Sequence, residues 1–258
     1  MSWASRRRLL IILGFLFLFG AATLIPLALW LHEPATCFDG VQNQGETAPD
    51  RSGPCALLDE RTLVPHAIQW ARAFSVRDGT WSAVAYIENP NDGAGVLAAS
   101  YRFKLYDDKN VLVAEREGSS YIMPGAVTPI YEGGFDTGNR VVARTYFEFS
   151  APLVWERVVD TAEAITVNGK SLLDVQTAPR VIAIAENTAV TDARDMHFVA
   201  VVFDMAGNAL GASRTLVPFL PREGKENLVF TWPESFTMPV GRVDVLPLRE
   251  PLPALGAR

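Results

Sequence analysis

At 258 residues, 49% of them hydrophobic and 20% charged, the chain is long enough for two ordinary domains with an additional apolar segment attached. Its net charge is −6, and once Arg6, Arg7 and Arg8 are set apart 20 basic residues face 29 acidic ones. A surface of that sign repels phosphate backbones and argues against nucleic acid as a partner.

Residues 1–8 form a short stub ending in Arg6-Arg7-Arg8, and residues 9–31 follow with no charged side chain. A helix of 23 such residues is roughly 34 Å long, enough to span the hydrocarbon core. The arginines precede the apolar run and the first charge after it is Glu33, so the positive-inside rule puts the stub in the cytoplasm and the rest outside. A cleaved signal peptide has an apolar core of about 7 to 15 residues and a small-residue cleavage site; this run is longer, and Trp30 stands where an interfacial aromatic belongs. The expected arrangement is an uncleaved, single-pass signal anchor in the cell membrane.

Residues 32–60 make a neck that holds the chain's two cysteines, Cys37 and Cys55. In an oxidising compartment this pair is expected to bond to itself, which for a loop of this size is worth roughly 3 kcal/mol. Asp39, Asn43, Glu46 and Asp50 lie among glycines between the cysteines and supply hard oxygen ligands of the kind calcium takes. The spacing is not that of an EF-hand, so a bound calcium is weighed against a solvated acidic turn held by the disulfide. The stretch resembles the extracellular motif C-x-D-G-x-x-N-x-x-E-x-x-x-D-C-G-G-x-C, except that Arg51 and Ser52 replace the inner Cys and the first Gly.

From about residue 61 onward short alternating runs and turn signals predict strands, arranged as two tandem antiparallel β-sandwiches over 61–160 and 161–250. Tyr101, Phe103 and Leu105 are read as inward and Arg102 and Lys104 as outward. Asp78-Gly79, Asp108-Lys109-Asn110 and Ala206-Gly207-Asn208 are read as turns, and Val167-Asn168-Gly169-Lys170-Ser171 as a hairpin turn. The two halves repeat. Asn89, Phe103 to Asp107 and Met123-Pro124 recur about 97 residues later as Asn187, Ala200 to Asp204 and Leu220-Pro221. In both copies the Asp stands 17 residues before the Pro, and the repeated Asn and Asp are read as loop caps serving a shared fold.

Phe103-Lys104-Leu105-Tyr106-Asp107 reads F-x-L-Y-D, and on this motif the first half resembles the FxLYD domain, an immunoglobulin-like sandwich of exported bacterial and archaeal proteins. The second half departs from it with Ala200 and Val202 but keeps Phe203-Asp204. The resemblance implies an immunoglobulin-like fold and an extracytoplasmic location, and no general activity.

The copies differ where Arg102 and Lys104 correspond to Val199 and Val201. A strand apolar on both faces needs cover on both sides. That cover comes either from the first module or the Val154 to Ile165 connector, or from another envelope protein or a second copy docking on Val199, Val201 and Phe203.

His32, His66 and His197 lack metal-ligand spacing, and no nucleophile elbow, phosphate loop or zinc-protease motif occurs. Residues 251–258, dense in proline, are read as a flexible tail. The expectation is a non-enzymatic membrane-anchored adaptor or scaffold. The alternative is a receptor-like protein that binds a small ligand or calcium.

Overall fold

The computed structural model describes residues 3–31, 35–159 and 164–254; His32 and the end of the expected tail lie outside them. A 29-residue helix, α1 (Trp3–Leu31), starts upstream of the apolar run and takes the three arginines onto its first turns. Its Ser5–Leu27 stretch is long and apolar enough to cross a membrane, and none of it is covered by protein among the described residues. Phe15, Phe17 and Phe19 are each more than 70% exposed, so lipid is the solvent that suits this surface. Pro26 sits inside the helix, as membrane helices tolerate.

Seven strands make the first unit: β1 (Ala67–Arg77), β2 (Thr80–Glu88), β3 (Ala94–Tyr106), β4 (Leu112–Ile122), β5 (Val127–Asp136), β6 (Arg144–Phe149) and β7 (Glu156–Val159). The second has β8 (Ile165–Leu173), β9 (Arg180–Asn187), β10 (Ala193–Asp204), β11 (Ala209–Leu220), β12 (Lys225–Thr231) and β13 (Val240–Leu248), and a two-residue β14 (Leu252–Pro253) ends the described chain. The pairing is the same in both. β2 lies between β1 and β5 as β9 lies between β8 and β12, and β3 lies between β4 and β6 as β10 lies between β11 and β13. Each unit is therefore an antiparallel β-sandwich, and the sequence repeat is a repeat of topology.

Alternation sets the first core. Tyr101, Phe103 and Leu105 are buried with Ile87, Ile122 and Phe135. On the other face of β3, Lys104 bonds Glu148 at 2.7 Å, and Arg102 meets Glu115 at 3.0 Å and also pairs with Glu117. Phe198, Val202, Leu220, Leu228 and Phe230 fill the second core.

Gly79 turns the β1–β2 hairpin at φ +70°, and a Cβ there would stand 2.7 Å from the Gly138 carbonyl oxygen. The expected hairpin at Val167–Ser171 is instead an irregularity inside β8. The β8–β9 register shifts between Asn168 and Ser171, where Gly169 takes φ +61°, as at a β-bulge.

Residues 251–258 are corrected in part. Leu252 and Pro253 pair with Val159 and Val158 of β7, the Ala254 N–H donates to the Arg157 carbonyl, and Pro251 is buried. Proline fixes an extended backbone at low entropic cost and suits a short edge strand, so the start of this segment is held rather than free.

Candidate functional site

Both copies use their repeated asparagine in the same way. Asn89 Nδ2 donates to the Ala94 and Met123 carbonyls at 2.7 and 2.9 Å, and Asn187 Nδ2 donates to those of Thr191 and Leu220 at 2.9 and 3.3 Å. Asp107 Oδ1 accepts the N–H groups of Lys109 and Val111, and Asp204 Oδ1 those of Ala206 and Asn208. The Asn208 amide also bonds Asp204 and, with these N–H groups, holds its carboxyl below the ordinary carboxylate range. These are structural sites. Replacing Asn89 with Ala is expected to cost about 2–6 kcal/mol, because two buried carbonyls lose their donors at roughly 1–3 kcal/mol each. Asn187→Ala is expected to cost the same order, and chemical denaturation showing losses below about 0.5 kcal/mol at both positions would remove the capping role.

The apolar outer face of β10 is occupied from within the chain. Val199 and Val201 are 0% exposed and Phe203 is 2% exposed, packed with Phe74, Val84 and Tyr86 of the first sandwich. The Phe203 ring meets the edges or faces of Trp70 and Tyr86 at 6.1 and 6.3 Å, and Arg242 lies 4.2 Å over it. Arg72 Nη1 donates to the Ala209 carbonyl, and Arg214 stacks over Tyr131 at 5.4 Å. The partner-docking assignment of Val199, Val201 and Phe203 is thereby corrected: β2 presents Val84 and Tyr86 on the face opposite Ala83, Ala85 and Ile87, and that second face is the cover. Four sheets stack in the order β8-β9-β12, β11-β10-β13, β1-β2-β5, β4-β3-β6. Burial pushes the Tyr86 hydroxyl well above its ordinary pKa, as an apolar seam does to an ionisable group.

In the neck the Cys37–Cys55 disulfide closes a loop of sequence separation 18. Inside it the three carboxylates among the four expected calcium ligands accept hydrogen bonds from the loop itself, while Asn43 Oδ1 is buried without a hydrogen-bond partner. Asp39 accepts the Thr36 and Val41 N–H groups and the Asn43 amide, Asp50 accepts the Asp39 and Gly40 N–H groups, and Glu46 Oε2 accepts those of Asn43 and Asp50. The Thr36 N–H, then the Asn43 amide, hold the Asp39 carboxyl below its usual range. Among the described residues the group of three potential protein ligands that converges is Cys37, Glu46 and Cys55, and its sulfurs are bonded to each other. Asp39, Glu46 and Asp50 each face N–H groups of the loop.

Gly53 takes φ +56°, and a Cβ there would stand 3.1 Å from the backbone of Glu46 and Gly45, a crowding that glycine avoids. The neck then zips onto β7. The Leu58 N–H donates to the Trp155 carbonyl, the Arg157 N–H to that of Ala56, and Arg157 Nη2 to that of Gly53. Beside it Asp59 caps a short 3₁₀ turn, and the Arg61 guanidinium draws its carboxyl down to about 2. Strand β7, only four residues long, joins the neck, the start of β3 and β14. Nothing in its short sequence signals this role.

Replacing both Cys37 and Cys55 with Ser is expected to destabilise the neck by roughly 3 kcal/mol and leave the sandwiches folded. Hydrogen exchange would show faster amides over residues 39–50 with unchanged β2 and β10, and unchanged neck amides would contradict it.

The open depressions include one at the β3–β4 turn, lined by Asp107, Lys109, Arg140 and Val141. Another lies where the sandwiches meet, lined by Tyr121, Asp192, Arg194, Asp195, His197, Arg249 and Glu250. Desolvation, then Arg214, depresses the His197 pKa, and its Nδ1 is buried without a hydrogen-bond partner.

No protein-family model matches this chain, and no curated protein matches it. Among solved structures, the beta-glucuronidase of Bacteroides uniformis is similar at 13% identity over 68% of this chain and 22% of that one, with a TM-score of 0.21. A beta-glucuronidase from glycoside hydrolase family 2 is similar at 10% identity over 86% and 26%, with a TM-score of 0.20. The chain spans about a quarter of either protein, and a likeness so weak says nothing of its activity.

Proposed function

We propose that this protein is a membrane-anchored, extracytoplasmic scaffold that holds another cell-envelope protein at a set distance from the membrane. The observation that carries this reading is the welded seam. Two sandwiches joined face to face through Val199, Val201, Phe203, Val84 and Tyr86 cannot swing as beads on a linker would. The neck and β14 tie the same body to β7, and α1 supplies the anchor. Arg6–Arg8 favour a cytoplasmic N-terminus, and the disulfide belongs to an oxidising compartment outside it. The F-x-L-Y-D run favours an immunoglobulin-like, FxLYD-type assignment for the first sandwich.

Affinity purification of the intact chain after mild detergent solubilisation tests the scaffold: a stoichiometric envelope protein is expected, and a chain that purifies alone and monomeric sinks the reading. The crevice of Tyr121, Asp192, Arg194, Asp195, His197, Arg249 and Glu250 favours a receptor for a small polar ligand as the second reading. That reading predicts a monomer whose melting temperature rises with the ligand.

A further inference from the structure

The tip of the neck carries two apolar side chains with no protein cover, Phe38 at 76% and Val41 at 57% exposure. Single exposed apolar residues are common and mean little. These two differ in the backbone that holds them. The N–H groups of Thr36, Phe38, Asp39, Gly40, Val41 and Asn43 all donate within the loop, to Asp39, Thr36, Asp50 or Glu46. Entering a water-poor layer is costly chiefly for backbone donors that lose water without gaining a partner, and here each of these donors already has one. The carboxylate of Asp39 is likewise surrounded by N–H groups, which offsets part of the cost of bringing its charge close to the same layer.

Chain length supplies the location. Phe38 follows the last residue of α1, Leu31, by seven positions, a reach of at most about 24 Å. The neck also joins the first sandwich at one end, where Leu57 bridges Glu156 and β7 pairs with Ala94 and Gly95 at the start of β3. The opposite end of β3 opens into the turn that contains Val111. Over the 13 residues of β3, at 3.3 Å each, that turn lies roughly 40 Å further along the strand.

We propose that the neck is a membrane-contact element: Phe38 and Val41 insert into the headgroup layer of the bilayer that α1 spans and fix the ectodomain upright upon it. The partner is the lipid surface itself, recognised by apolar insertion. This rests on the anchor reading of α1. The disulfide and the Asp39–Asp50–Glu46 network then have a common purpose, to keep a loop rigid and these six donors satisfied while its tip leaves water.

The test uses the full chain reconstituted in phosphatidylcholine vesicles, with Phe38→Trp and, as the distal control, Val111→Trp, each read as a difference from the parent. Intact disulfide is checked by mass spectrometry, and retention of the anchor by resistance to carbonate extraction. Depth-resolved quenching by brominated lipids is expected to place the added Phe38→Trp indole roughly 5–10 Å into the headgroup and acyl boundary, with blue-shifted emission, and to leave Val111→Trp unquenched. If the chain resists carbonate while Phe38→Trp is as red and unquenched as Val111→Trp, the membrane contact is overturned and the anchor stands. If carbonate releases the chain, the anchor reading fails and takes this proposal with it.

Discussion

Val201→Arg is expected to open the seam between the sandwiches. Val201 is 0% exposed on β10, in the cluster that also contains Val84, Tyr86 and Phe203. An arginine there buries a cation opposite apolar side chains, and an uncompensated buried charge costs about 3–5 kcal/mol. The guanidinium could escape only by forcing the sheets apart, which trades that penalty for water over Phe74, Tyr86 and Phe203. Either way β2 and β10 amides should lose protection together, and the denaturation midpoint should fall. The equivalent position in the first sandwich gives the contrast. Lys104→Val removes a solvent-facing pair with Glu148 and is expected to change stability by less than about 1 kcal/mol. A soluble Val201→Arg chain with the parent's midpoint and seam protection would show that the two sandwiches do not depend on each other.

The same pair of positions explains the divergence of the two copies. Arg102 and Lys104 sit on a sheet whose outer face meets water and carries Glu115, Glu117 and Glu148 as counter-charges. Their counterparts Val199 and Val201 sit on a sheet with another sheet stacked over it. Loss of charge in the second copy is thus a consequence of stacking order. That β10 needs two-sided cover was legible, because His197 to Phe203 is apolar at successive positions and no alternating strand reads so.

Which surface supplies the cover was not legible. Val84 and Tyr86 lie in the run Ala83 to Ile87, itself apolar at five successive positions, but which such faces pair is decided by packing over more than a hundred residues of separation. The capping roles of Asp107 and Asp204 were legible because they act within their own turns; repetition also isolated Asn89 and Asn187, although each reaches beyond its own loop, to Met123 and Leu220. Strands β7 and β14 left no signal, being four and two residues long and defined by their neighbours rather than by their own period. In the neck the composition was legible and the internal bonding of the loop was not: its carboxylates are turned toward backbone N–H groups by the loop that the disulfide closes.

Phe103→Ala is expected to cost the first sandwich about 3–5 kcal/mol, the range for emptying an aromatic site that its neighbours cannot refill. Phe103 is 0% exposed, with the Phe147 ring at 4.9 Å, Tyr101 at 5.8 Å and Phe135 at 6.4 Å. Those three rings come from β3, β5 and β6, which is to say from both sheets of the sandwich, so the cavity cannot close without moving the sheets relative to one another. The second copy already has alanine here, Ala200, also 0% exposed, and fills the volume from elsewhere, with Phe198, Phe230 and Trp232 in its core. The reverse change, Ala200→Phe, should therefore be destabilising as well, by about 1–3 kcal/mol of overpacking, although it restores the F of the motif. The two substitutions together distinguish a motif that stabilises by its identity from one that stabilises by fitting a particular core. Denaturation curves in which Ala200→Phe stabilises the chain would favour the first. A loss in both variants would show that each sandwich has packed around its own residue and that the F-x-L-Y-D phenylalanine matters through the space it fills.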